Sequence, residues 1–208
     1  MPNWCNNSVV LRHTDPAMIE RARTAFNDGR LLDEFIPIPE SLHIVAGRVG
    51  DDNDPKQIEL KEAEIRNRAT HGYTTWYDFC VNEWGTKWDV GADGNPAQDI
   101  PGGLMLGFDS AWSPPVNAYE KLMDLGFEIE AMYYEPGMAF AGIWDNGHDD
   151  FYEYGGMNSE QIAAELPAEL DEAFCISESV AEWEEENQEI DLDNGLSATN
   201  EQEQDENK

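Results

Sequence analysis

The spacing of hydrophobic positions changes along the chain, and each change marks an element. Ser8 to Arg12 (SVVLR) reads as a first strand that ends at Thr14-Asp15-Pro16. Asp15 is placed to cap a helix with Pro16 at its first position, where a missing N–H costs nothing. Ile19, Ala22 and Phe26 follow at helical spacing until Asn27-Asp28-Gly29 stops the run. FIPIPESL is an extended connector, because Pro37 and Pro39 cannot donate to a ladder. Asp54-Pro55 repeats the helix-start signal, and Glu62–Arg66 and Glu64–Arg68 support an exposed helix at i,i+4 before His71-Gly72 breaks it. TTWYDFCVNEWG is helical as well, capped by Thr74 or Thr75, with Trp76, Phe79 and Cys80 inward and Gly85 as its stop.

Beyond Gly85 the period falls to two. Thr86 to Val90 predicts a strand with Thr86, Trp88 and Val90 on one face and Lys87 and Asp89 on the other. A glycine- and proline-rich loop leads to a further strand, LMLGFDSAW, after which Ser113-Pro114-Pro115 caps a helix with Val116, Tyr119, Leu122 and Met123 inward. Phe127, Ile129, Ala131 and Tyr133 alternate with Glu128, Glu130, Met132 and Tyr134, the mark of a strand with one face toward water. Pro136-Gly137 turns the chain into MAFAGIWD, and Asn146-Gly147 signals a hairpin returning through HDDFYEY.

This order predicts an α+β fold, an antiparallel sheet with helices on one face in a split βαβ arrangement, over residues 1–157 with a helical insertion around 50–85. NSEQIAAEL and AELDEAFCISESVAEWEEEN predict an acidic helical extension over 158–187. Residues 188–208 are charged and poor in apolar positions, which predicts disorder.

Three motifs in this order, MPNWCNN, WGTKWD and SAWSPP, resemble the YubB-type ferredoxin-like domain family of phage, prophage and plasmid accessory proteins. The resemblance covers roughly residues 1–150. It implies a ferredoxin-like fold without an iron–sulfur cluster and a bacterial or phage protein carried on a mobile element. It brings no reaction, cofactor or catalytic residue, and the acidic extension lies outside it.

Charge narrows the choice of partners. With 44 acidic against 12 basic residues the formal charge is −32, which argues against direct binding of nucleic acid or anionic membrane. The acids are unevenly placed: residues 1–121 hold 19 against 11 bases, and residues 122–208 hold 25 against one. Such a field attracts basic surfaces, so a basic host protein is the expected partner, with the oligomeric state left open. Cys5, Cys80 and Cys175 are odd in number and widely spaced, which favours reduced thiols in a cytoplasm, and the resemblance implies that the cytoplasm is a bacterial host's. No signal peptide is expected from the first residues, and no apolar run approaches the roughly 20 residues of a membrane span.

Candidate chemistry is sparse. Trp4, Trp84, Trp88 and Trp112 are expected to be core anchors, Trp88→Ala costing about 3–5 kcal/mol; an aromatic groove is the competing reading. Lys87 and Asp89 could form an acid–base pair, although a surface ion pair is the commoner outcome for such neighbours. DNGHDD (145–150) offers oxygen and imidazole ligands without the spacing of a calcium loop. No phosphate-loop, nucleophile-elbow or dinucleotide motif occurs, and no cofactor or metal is expected. The expected function is therefore non-enzymatic: binding of a basic host or defence protein through an acidic, DNA-mimicking surface that includes Glu165, Glu169, Glu172 and Glu182. Two alternatives stand beside it. One is an enzyme or small-ligand binder with a site near Asn6, Trp84, Lys87, Trp88, Asp89 and Trp112; the other is a salt-adapted domain, against which the charge asymmetry counts.

Overall fold

Strand β1 (Trp4–Arg12) buries every second residue, Cys5, Asn7, Val9 and Leu11. It starts four residues before the apolar run, because Asn7 is buried with its amide donating to the Cys5 and Phe108 carbonyls and to Ser110 Oγ. In this computed structural model, which describes residues 3–187, helix α1 (Pro16–Asn27) follows with Asp15 accepting from the Ala17 N–H at 2.9 Å. A short helix, α2 (Leu31–Phe35), precedes the proline-rich connector, which ends in a 3₁₀ turn (Glu40–Leu42). The insertion then holds α3 (Pro55–His71), capped by Asp54, and α4 (Trp76–Glu83).

The sheet is completed by β2 (Gln98–Ile100), β3 (Gly103–Ala111), β4 (Glu128–Glu135), β5 (Phe140–Asp145) and β6 (His148–Glu153). Helix α5 (Val116–Asp124) connects β3 to β4. All pairings are antiparallel, in the order β2-β3-β1-β4-β5-β6. The first four strands have the ferredoxin-like order: each βαβ connection leaves a gap that a strand from the other half fills. The β5–β6 hairpin extends the sheet at the β4 edge, its turn formed by Asn146 and Gly147 at φ 44° and 98°, the twist that hairpins favour.

The register aligns Leu106, Val9, Ala131 and Trp144 in one row across four strands. This row faces α1 and α5, and with Phe26, Phe108, Leu122 and Ile129 it forms the core. The opposite face carries polar pairs such as Asn6 with Asp109 and Arg12 with Glu130.

Three expectations fail in this region. Thr86–Val90 is not a strand but an irregular segment whose polar groups bond elsewhere. The loop after it contains β2, three residues between Pro96 and Pro101. Ser113 does not cap α5; its hydroxyl donates to the Gly85 carbonyl at 2.6 Å, and the helix begins beyond Pro115.

The described residues divide into two compact units, one ending at Glu153 and one beginning at Tyr154. In the second, α6 (Ser159–Glu165) starts with a reciprocal capping box between Asn158 and Gln161, and α7 (Ala168–Phe174) follows Pro167. The long helix expected from Ala168 onward is broken at Cys175, which is left-handed at φ 51°; helix resumes over 176–187. The Ser177 N–H and hydroxyl bind the Asp171 carboxylate across that break. Ile162, Leu170 and Ile176 are fully buried. The disorder expected for 188–208 lies outside the described residues. No helix among the described residues is long and apolar enough to cross a membrane.

Candidate functional site

The segment Trp84–Val90 owes its path to hydrogen bonds spread along its length. Trp84 is 2% exposed and donates from Nε1 to the Ile36 carbonyl at 3.0 Å, which places it in the core and not in a site. Thr86 Oγ1 donates to the Ala111 carbonyl at 3.0 Å. The Asp89 carboxylate accepts from the N–H groups of Leu32, Asp33 and Val90 at 2.7–2.8 Å, binding the free N-terminal groups of α2. The Val90 carbonyl accepts from Leu31 N–H, and Ala92 N–H donates to Phe26. Between them Gly91 passes so close to Gly29 that a Cβ would overlap the Gly29 backbone. Burial raises the Asp89 pKa above the ordinary carboxylate value and outweighs the three donors that act to lower it.

Lys87 and Asp89 are therefore not an acid–base pair. Asp89 serves the backbone, and the Lys87 side chain turns to aromatic faces. Its Nζ lies 4.5 Å from the Trp88 ring centroid, 5.2 Å from Trp112 and 5.9 Å from Tyr77, all within cation–π range. Trp88 stacks tilted on Trp4 with centroids 5.8 Å apart, Tyr77 meets Trp112 edge-on at 6.3 Å, and Trp76 meets Tyr77 at 6.0 Å. Trp4, Trp88 and Trp112 are 44%, 38% and 40% exposed, so the expectation that they anchor the core is corrected for all three. The expected loss of about 3–5 kcal/mol for Trp88→Ala belongs to Trp84 instead.

These rings sit where β1 begins and β3 ends, since Trp4 pairs with Ala111 and Trp112 is the next residue. The Trp112 N–H donates to the Asn3 carbonyl at 2.9 Å and holds a tryptophan at φ 72°, a left-handed conformation that a bulky residue adopts at a cost of roughly 1–2 kcal/mol. Strain of this kind is retained where the surroundings enforce it, and it concentrates at functional sites. The three motifs that carry the family resemblance, far apart in the chain, each contribute one exposed tryptophan to this platform.

A groove of about 650 Å³ opens beside the platform. Tyr77, Lys87, Trp88 and Trp112 line it together with the acidic residues Glu64 and Asp78. The Thr74 hydroxyl and N–H both donate to Asp78, which fixes that carboxylate. Asn6 lies on the open sheet face, where its amide donates to Asp109 at 2.5 Å, and it does not line the groove. Of the sequence candidates the structure thus unites Lys87, Trp88 and Trp112, and sets apart Asn6, Trp84 and Asp89. Tyr77, Glu64 and Asp78 escape a sequence reading, although two adjacent aromatics, Trp76 and Tyr77, exceed what one helical face can bury.

Other candidates take structural roles. Asn146 Oδ1 accepts from the Ile129 N–H, Asp149 accepts from the Tyr133 hydroxyl, and His148 lies 3.1 Å from Asp150. Burial pushes the Cys5 and Cys80 thiols up to about 12, away from any nucleophilic role at neutral pH. Glu165, Glu169, Glu172 and Glu182 are all exposed on the helices of the second unit.

No family model matches the chain, and no curated protein matches it. Among solved structures the chain is similar to protein api92 from Yersinia pseudotuberculosis, of the DUF1281 family model, with 15% identity over 75% of this chain and 99% of that one and a TM-score of 0.39.

Proposed function

We propose that this is a non-enzymatic binding protein that docks a basic partner protein through the Trp4–Trp88–Trp112 platform. The observation that carries the reading is three tryptophans, each more than a third exposed, brought together at one end of the sheet. Exposed tryptophan is costly to leave in water, and clustered aromatics are the residues that dominate interface energetics. The carboxylates supply the choice of partner and the encounter rate. A charge of −32 with 25 acids in residues 122–208 attracts basic surfaces, and the exposed Glu165, Glu169, Glu172 and Glu182 offer the second unit's own acidic, DNA-mimicking face to such a partner. The YubB-type motifs support a mobile-element accessory protein acting in a bacterial cytoplasm, where a basic nucleic-acid-binding host or defence protein is a suitable target. The acid–base alternative loses its support once Asp89 is bound to the α2 backbone.

The test is capture from bacterial lysate on the immobilised full chain, followed by titration calorimetry with the purified captured protein. The parent should retain a basic protein that elutes as salt rises, and a Trp88→Ala/Trp112→Ala variant should lose it. Equal affinity of parent and variant for the purified protein would refute the docking surface.

A further inference from the structure

The groove beside the platform has an unusual occupant. The faces of Trp88, Trp112 and Tyr77 converge on a cation, and that cation is the chain's own Lys87. Aromatic faces are negative, so three of them around one point make a receptor for positive charge. Lys61 and Lys121 each pair with a carboxylate, but no carboxylate among the described residues lies within 4.0 Å of Lys87. Its ammonium is thus held by rings alone. Glu64 and Asp78 line the same groove, Lys87 is the sole base among its lining residues, and the volume of about 650 Å³ far exceeds one ammonium group.

Resting on the binding reading above, we infer that the groove is a receptor for an arginine side chain of the partner, and that Lys87 is its built-in competitor. Charge complementarity selects the occupant. A phosphate or nucleotide would meet Glu64, Asp78 and the field of a chain at −32, whereas a guanidinium is attracted by all three. Arginine also has the advantage over the resident lysine, because its planar, weakly hydrated head stacks flat on tryptophan and retains donors for a carboxylate. The incoming guanidinium takes the ring faces and reaches toward Asp78, and the Lys87 ammonium returns to water. Lys87 thereby keeps the cage from binding loose cations and sets a threshold that a multivalent basic segment must exceed.

Two measurements test this on the full chain. Ring currents should shift the Lys87 ε-methylene protons upfield in the free protein, and adding a short arginine-containing glycine–serine peptide should return them to ordinary positions. In fluorescence titrations, Lys87→Met should bind that peptide about tenfold more tightly than the parent, the scale of one cation–π competitor removed. Trp112→Ala should abolish binding, and the same peptide with citrulline, neutral and nearly isosteric, should not bind. The inference is overturned by unshifted Lys87 protons, by equal binding of the arginine and citrulline peptides, or by a Lys87→Met variant no tighter than the parent. If those results appear while Trp88→Ala/Trp112→Ala still abolishes partner capture, the cage is refuted and the docking platform stands.

Discussion

The two tryptophans of the segment that carries Lys87 are four residues apart and should respond to truncation to very different extents. Trp84 is 2% exposed, and a fully buried tryptophan removes roughly 200 Å² from water, worth about 5 kcal/mol at 25 cal/mol/Å². A compact denatured state already hides part of that area, which brings the figure to about 3–4.5 kcal/mol. Truncation also leaves the Ile36 carbonyl without its donor. Trp84→Ala should therefore cost about 3–5 kcal/mol, in line with other emptied aromatic sites. Trp88 is 38% exposed and stacks on Trp4, itself 44% exposed, so Trp88→Ala should cost about 2 kcal/mol or less. Urea unfolding followed by far-ultraviolet dichroism reads the contrast. With a slope of about 2 kcal/mol/M, the Trp84→Ala midpoint should fall by about 2 M and the Trp88→Ala midpoint by at most half as much. Equal midpoint shifts, or a larger one for Trp88→Ala, would sink the assignment of Trp84 to the core and Trp88 to the surface.

Asp89→Ala should destabilise by about 2–3 kcal/mol because it strips three backbone donors of their acceptor, and Asp89→Asn by less, as urea midpoints will show. Since burial raises the Asp89 pKa, the native state holds that proton more tightly than the unfolded chain. The group's contribution to stability is full below about pH 4 and declines as pH rises through the raised value, a slope that Asp89→Asn should remove from a stability–pH curve. Thiol titration at pH 8 should find one fast equivalent, from exposed Cys175, and three in denaturant; fast reaction of all three in the native protein contradicts the burial of Cys5 and Cys80. At Trp112, held at φ 72°, the glycine variant should be more stable than the alanine variant by about 1 kcal/mol, reversing the usual ranking; equal melting temperatures would dismiss the strain.

The strand β4 was legible because one face of it meets water and the other the core, so its alternation is written in Ile129, Ala131 and Tyr133. Helix starts were legible for the same local reason: Asp15-Pro16 and Asp54-Pro55 act within three residues. Thr86–Val90 shows the limit of periodicity. Its alternation is real, but Asp89 and Val90 bond to α2 and Thr86 to the end of β3, so the segment never enters a ladder. The opposite error occurs in β1, where Cys5, Asn6 and Asn7 look unlike a strand and are held in one by the Asn7 amide bonds. The platform itself was half legible. The motifs drew attention to Trp4, Trp88 and Trp112, but a tryptophan's identity does not say whether it faces inward, and Tyr77 carried no mark at all.

The ring cage draws on three stretches that lie far apart in the chain, Trp4, the run from Tyr77 to Trp88, and Trp112. It therefore has no existence in the unfolded chain or in any short fragment, and closing it requires the long-range β1–β3 pairing to be complete. Whatever binds there binds only the finished fold, and at a hundredfold excess over its dissociation constant it adds about 2.7 kcal/mol to global stability. Occupancy and folding are thus one linked equilibrium, so a core substitution such as Ile129→Ala, on a strand that carries no residue of the cage, will weaken apparent affinity once it populates the unfolded state.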